Sequence, residues 1–159
     1  MNKIDVEAAR ARLNYNPETG ILTWKSTGKR AGGIHIKGYR VIRIDRILIK
    51  EHRIAYAIFH EHDVPDGMQI DHVNRDKSDN RISNLRLATN AQNQFNKGLR
   101  STNTSGFKGV CMKGGKYTAS IKKNAKTQHL GTFETPEEAH KAYMAAATQH
   151  EPDFAFSGS

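Results

Sequence analysis

Apolar and polar residues alternate through Gly38 to Asp45, GYRVIRID, and this period of two predicts a strand that turns Tyr39, Val41, Ile42 and Ile44 mostly toward a core. Asp45-Arg46 then reads as a hairpin turn into a second strand, Ile47 to Lys50. Upstream, Val6 to Leu13 reads as a short helix. Asn16-Pro17-Glu18-Thr19-Gly20 reads as a turn, since proline fixes φ and glycine accepts positive φ, and Ile21 to Lys25 follows as a strand. Together these segments predict a small antiparallel sheet. The period changes at Glu51 to His60, EHRIAYAIFH, where Ile54, Ala55, Ile58 and Phe59 recur at helical spacing. That is the pattern of an amphipathic helix docked on the sheet.

After the turn Pro65-Asp66-Gly67, Met68 to Val73 reads as a short strand and Asn74 to Asn80 as a polar loop. Ile82, Leu85 and Leu87 anchor a second extended segment, and Thr89, with Gln92 three residues later, opens a helix with a capping-box arrangement. Gly98 to Gly106, GLRSTNTSG, lacks apolar periodicity and reads as a linker. Three further strands are expected at Gly109 to Met112, Lys116 to Lys122 and Gln128 to Phe133, with turns at Gly114-Gly115 and Asn124 to Thr127. Thr135 then caps a helix over Pro136 to Ala147, which gathers Ala139, Ala142, Tyr143 and Ala146 on one face. The expected fold class is α+β: a small N-terminal antiparallel sheet with a strand, strand, helix module over about 68–97, then a three-stranded antiparallel sheet packed on one helix. The expected divisions are 1–97, a linker at 98–105, a second domain at 106–150 and a tail at 151–159.

Charge narrows the partner. The chain has 159 residues and a net charge of +9, and its isoelectric point is near 9.8. From Asn80 to Phe133 there is no Asp or Glu, while Arg81, Arg86, Lys97, Arg100, Lys108, Lys113, Lys116, Lys122, Lys123 and Lys126 all fall inside. Such acid exclusion points to a polyanion, nucleic acid above all. No apolar run approaches the roughly 18 residues of a membrane helix, and Met1 to Arg12 lacks the apolar centre of a signal peptide, so a soluble intracellular protein without a membrane partner is expected. Cys111 is the only cysteine, which excludes an intrachain disulfide and any zinc site needing two thiolates. His52, His60 and His62 read as packed or exposed helix-end residues rather than metal ligands.

Cleaving a phosphodiester needs an attacking water, a base to take its proton, and a cation to neutralise charge on the phosphate and leaving oxygen. In QIDHVNRDKSDNRISNL, His72 has the imidazole suited to the base. Asp71 precedes it, and in an extended strand the two side chains take opposite faces, so they share a pocket only where the strand bends or ends. Asn93, on the helix opened by Thr89, offers a carbonyl oxygen. Carboxylate and amide oxygens are hard donors suited to Mg²⁺ or Mn²⁺.

The segment IDHVNRDKSDNRISNLRLATNAQNQFNK resembles HNH endonucleases of the phage homing type, over roughly Arg40 to Lys97, and EHRIAYAIF resembles the helix that precedes their motif. The resemblance implies a ββα-metal core holding one divalent ion. It implies Asp71 and Asn93 as its ligands, His72 as general base, and Asn84 as the central asparagine that holds the loop and the base in place. Asn80, Asn90 and Asn96 read as turn or cap residues. A phage origin and action in the host cytoplasm follow from the same resemblance.

The segment from about Ser105 to His150 resembles the APETALA and ethylene-response-factor DNA-binding domain, through its GV step, its LGTFET run and its alanine-rich helix. In that family the sheet enters the major groove of duplex DNA. The resemblance offers Lys108, Lys113, Lys116, Tyr117, Lys122 and His129 as DNA contacts, while Phe107, Leu130, Phe133, Tyr143 and, as its alternative, Tyr117 read as core. The expected activity is hydrolysis of double-stranded DNA by a monomer or homodimer. The rival expectation is a non-catalytic, sequence-specific DNA-binding regulator.

Overall fold

In the computed structural model, which describes residues 3–35, 38–99, 101–123 and 126–155, helix α1 (Val6–Arg12) starts where the Asp5 side chain accepts from the Ala8 amide at 2.9 Å. Leu13 does not extend that helix. Its amide closes the last turn on the Ala9 carbonyl, and its backbone is already extended, opening β1 (Leu13–Asn16). This strand pairs antiparallel with β2 (Ile21–Trp24) in the register Leu13 to Trp24. Asn16 Oδ1 orders the intervening turn by accepting from the Glu18 and Thr19 amides.

Strands β3 (Gly33–Ile34), β4 (Arg40–Ile44) and β5 (Ile47–Lys50) form a three-stranded sheet in that order. Asp45 and Arg46 both hold positive φ, 48° and 69°, the backbone of a two-residue turn whose twist matches a right-handed hairpin. Helix α2 (Glu51–His60) follows without a break and packs on α1, β1, β4 and β5. Because it is covered on two sides, burial extends beyond the expected stripe to Tyr56 and Ala57. Phe59, expected in the core, lies outside that contact and is 47% exposed, with its ring edge-on to His60.

The last pair of this unit is β6 (Met68–His72) with β7 (Leu85–Thr89), which sets Asp71 opposite Arg86 and His72 opposite Leu85. A short 3-10 turn, Ile82–Asn84, precedes β7. Leu13, Leu22, Ile42, Ile54, Ile70 and Leu85 belong to one shared core. The chain divides into two compact units, Met1–Asn90 and Ala91–Ser159, at the first residue of α3 (Asn90–Asn96).

In the second unit β8 (Val110–Lys113), β9 (Lys116–Lys123) and β10 (Lys126–Phe133) form an antiparallel sheet in the order β10, β9, β8. Helix α4 (Pro136–His150) packs across it, started by a reciprocal capping box between Thr135 and Glu138. Val110, Ala119 and Ala139 form one core cluster, and Ile121, Tyr143 and Ala147 another. Gly109 has φ 75°, and a Cβ there would collide with the Tyr143 ring, which explains glycine before Val110.

Described residues of the expected linker and tail make specific contacts. Asn103 donates to the Phe107 carbonyl and accepts from the Gly106 amide, and the Ser105 hydroxyl bonds the Val110 carbonyl at 2.8 Å. Phe154, in the expected tail, is 8% exposed. Of the expected turn at Asn124 to Thr127, Asn124 and Ala125 lie outside the described residues, while Lys126 and Thr127 already pair with Lys123 and Lys122. Among the described residues no helix is long and apolar enough to cross a membrane.

Candidate active site

His72 ends β6, where Asp71 and His72 take the opposite faces that strand geometry requires, yet both are buried, at 6% and 5% exposure. Asp71 faces its cross-strand partner: Arg86 Nε donates to Asp71 Oδ2 at 2.9 Å, and a second guanidinium nitrogen lies 2.9 Å from the same oxygen. His72 faces α2. Its ring meets His52 edge-on at 5.0 Å between centroids, and Tyr39 flanks both rings at 5.4 and 6.2 Å. The Lys50 ammonium lies 4.1 Å from the centre of the Tyr39 ring.

One hydrogen-bond partner of the His72 ring is Asn80, whose Oδ1 lies 3.2 Å from Nε2. The sequence reads Asn80 as a turn residue, but it is 1% exposed and linked onward. Its Nδ2 donates to Glu51 Oε2 at 3.1 Å, and Arg40 Nε reaches both Glu51 oxygens at 3.1 and 2.9 Å. The β1–β2 hairpin seats this segment. The Tyr15 hydroxyl donates to the Asn80 carbonyl, the Ile82 amide donates to the Pro17 carbonyl, and a Cβ at Gly20 would strike the Asn80–Arg81 backbone.

Asn84 shapes the loop. Its Oδ1 accepts from the Asn74 amide at 2.9 Å, its Nδ2 donates to the Asp79 carbonyl at 2.8 Å, and its carbonyl accepts from the Val73 amide. Arg81 pairs with Asp79 and holds that carboxyl down to about 2. Burial lowers the pKa of His72 against the opposing effects of Asn80, Asp71, Asp76 and Asp79. His52 is lowered further, by burial and by the His72 and Lys50 charges, and among the described residues its Nδ1 has no hydrogen-bond partner. Both shifts favour the neutral form of the two rings.

Asn93 is half-buried on α3 and belongs to the second unit, whereas Asp71, His72 and Asn84 belong to the first. Among the described residues there is no group of three or more His, Cys, Asp or Glu side chains able to hold a metal. Within the first unit, Asp71 offers a carboxylate, a hard oxygen donor of the kind that Mg²⁺ or Mn²⁺ takes alongside water and phosphate.

The basic candidates separate into two groups. Pairing of Lys113 with Lys116, Cys111 with Thr118, Lys122 with Thr127 and Ser120 with His129 places Lys113, Lys116, Lys122 and His129 on one exposed face of the sheet, opposite the face that carries Ala119 and Ile121. Lys108 and Tyr117 do not join them. The Lys108 ammonium donates to the Gln94, Phe95 and Lys97 carbonyls, so it caps α3. Tyr117 shares a strand face with Ala119 and Ile121 and packs on the Val110 cluster. Lys116 also pairs with Glu134.

Arg40, Glu51, His52 and Asn80 were missed as site residues. One signal was available: the apolar stripe of α2, Ile54, Ala55 and Ile58, runs back by three and four positions to Glu51, putting a carboxylate on the buried face.

Residues 50–95, which include Glu51, His52, His72, Asn80 and Asn84 of this pocket, match the family model described as HNH endonuclease. An uncharacterised HNH endonuclease of Acanthamoeba polyphaga mimivirus is 36% identical over 104 residues, covering 65% of this chain and 54% of the relative. The chain thus spans about half the length of the curated relative it matches. A solved structure, titled as DNA binding and cleavage by the HNH homing endonuclease I-HmuI, is similar at 25% identity and a TM-score of 0.44, covering 56% of this chain and 53% of that one.

Proposed function

We propose that the protein is a divalent-metal-dependent endonuclease of double-stranded DNA, of the homing type, with His72 as its general base. The observation that carries this reading is an imidazole held by Asn80 at the end of a strand, inside the segment that matches the HNH endonuclease family. Burial lowers the basicity of the His72 ring, which favours the neutral form that can accept the proton of an attacking water. Asn84 holds the loop that begins one residue after the ring. Asp71 and Asn93 would hold Mg²⁺ or Mn²⁺. When bound, that ion supplies charge neutralisation for the scissile phosphate and its leaving oxygen.

Lys113, Lys116, Lys122 and His129 form the proposed DNA-facing surface, supported by their shared face and by the absence of Asp and Glu from Asn80 to Phe133. Their module of three strands and one helix has the layout expected of an APETALA or ethylene-response-factor domain. Plasmid cleavage in Mg²⁺ or Mn²⁺ tests the activity. His72→Ala is expected to abolish cleavage while gel-shift binding persists, and undiminished cleavage by this variant or in excess chelator sinks the assignment.

The Asp71–Arg86 ion pair favours one second reading, a DNA-binding protein without catalysis, because the guanidinium competes with a cation for the same carboxylate. Calorimetric titration with Mn²⁺ separates the two. Binding lost in Asp71→Asn supports the nuclease, and no binding at all supports the regulator.

A further inference from the structure

The hydrogen bond on the His72 ring has a polarity set three residues away. A guanidinium has only donors. Arg40 Nε points at both Glu51 oxygens, so Glu51 acts as an acceptor, and its Oε2 accepts from Asn80 Nδ2. That commitment turns the Asn80 amide so that Oδ1, which can only accept, faces His72 Nε2. The hydrogen of a neutral ring must then sit on Nε2, with the lone pair on Nδ1.

We propose that Arg40, Glu51 and Asn80 are positioning residues that select the Nε2–H tautomer of His72, making Nδ1 the nitrogen that receives the proton of the attacking water. Two independent features support this. Glu51 is 0% exposed and its Arg40 partner is also largely covered, and a buried ion pair of this kind adds little net stability because both charges lose their hydration. Its position is accounted for by what it orients. In addition, the Asn80 backbone is pinned by Tyr15 and by the close approach of Gly20, so the amide has little freedom except rotation about its own side chain. The part of the proposal that concerns proton transfer rests on the function proposed above, whereas the tautomer stands apart from it.

The test uses the full chain labelled with ¹⁵N-histidine. Long-range ¹H–¹⁵N correlation, above the ordinary imidazole range, reports which nitrogen carries the proton. Wild-type His72 is expected as Nε2–H. Glu51→Gln replaces an obligate acceptor with an amide that can donate, and should allow Asn80 to reverse. The expected result is a shift toward Nδ1–H, with a fall in kcat of roughly 10²-fold or more and an unchanged KM for duplex DNA. Arg40→Lys keeps a donor-only cation and should retain Nε2–H. An Nδ1–H ring in wild type overturns the proposal, as does an unshifted Nε2–H population in Glu51→Gln. Should Glu51→Gln not fold, Asn80→Ala takes its place, with a persistent pure Nε2–H population again counting against the proposal. Wild-type protein that cleaves no DNA in any divalent metal sinks the nuclease reading while leaving the tautomer measurement intact.

Discussion

Both ends of the Asn84 amide bond loop backbone, so its loss leaves a carbonyl and an amide unpaired beside a buried side chain. Asn84→Ala should therefore destabilise the first unit by about 1–3 kcal/mol, read by urea unfolding followed through Trp24. It should also lower cleavage more than it lowers DNA binding, since the loop carries Asn80 to the His72 ring. His52 sets a pH dependence of stability. Burial lowers its pKa below the ordinary 6.5, so the unfolded chain takes up a proton there before the folded chain does. Stability from this residue is complete above pH 6.5 and falls as the pH drops below it. Thermal unfolding of His52→Gln should lack that part of the acid slope, and a slope identical to wild type would show that the ring titrates freely.

At the scale of elements, α3 is the least self-sufficient. Seven residues are too few for a helix to persist alone in water. What sustains it lies within Ala91–Ser159: Phe95 packs on the cluster of Ile121, Tyr143 and Ala147, Gln92 bonds Glu151, and Lys108 closes the C-terminal carbonyls. Lys108→Met should lower the melting temperature of the second unit while changing the salt dependence of DNA binding little. A steep loss of DNA affinity without destabilisation would return Lys108 to the binding face. This element also shows where sequence reading reached its limit. Alternation marked β4, β5 and β9, and periodicity marked α2 and α4, because each has enough residues to repeat its pattern. By contrast β1, four residues behind a helix, and β3, two residues among glycines, were too short to show one. Asp71, His72 and Asn84 were singled out through the resemblance to HNH endonucleases, since the bare dipeptide and a loop asparagine carry little signal of their own. The support of His72 was not, since Arg40, Glu51 and Asn80 meet only after the sheet, helix and loop have folded.

For the whole molecule, the division after Asn90 changes what a truncation means. Removing 98–159 would be expected from the sequence to weaken DNA binding and leave metal dependence almost intact. The structure instead predicts that this cut also unravels α3, which carries Asn93, because Phe95 loses its cluster and the helix loses its cap. Far-ultraviolet circular dichroism and Mn²⁺ titration of the 1–97 fragment check this outcome. The basic surface predicts a strong salt response. If roughly six to ten phosphates are contacted, affinity should drop about 10³ to 10⁵-fold between 50 and 200 mM salt, and a flat response would contradict a phosphate-binding face. The pairing of β8 with β9 has a practical consequence as well. Cys111, the chain's only thiol, is exposed and lies opposite Thr118 on the same face as Lys113 and Lys116. A maleimide dye placed there labels the protein at a single position, and its anisotropy and quenching would show whether a duplex approaches that side of the sheet.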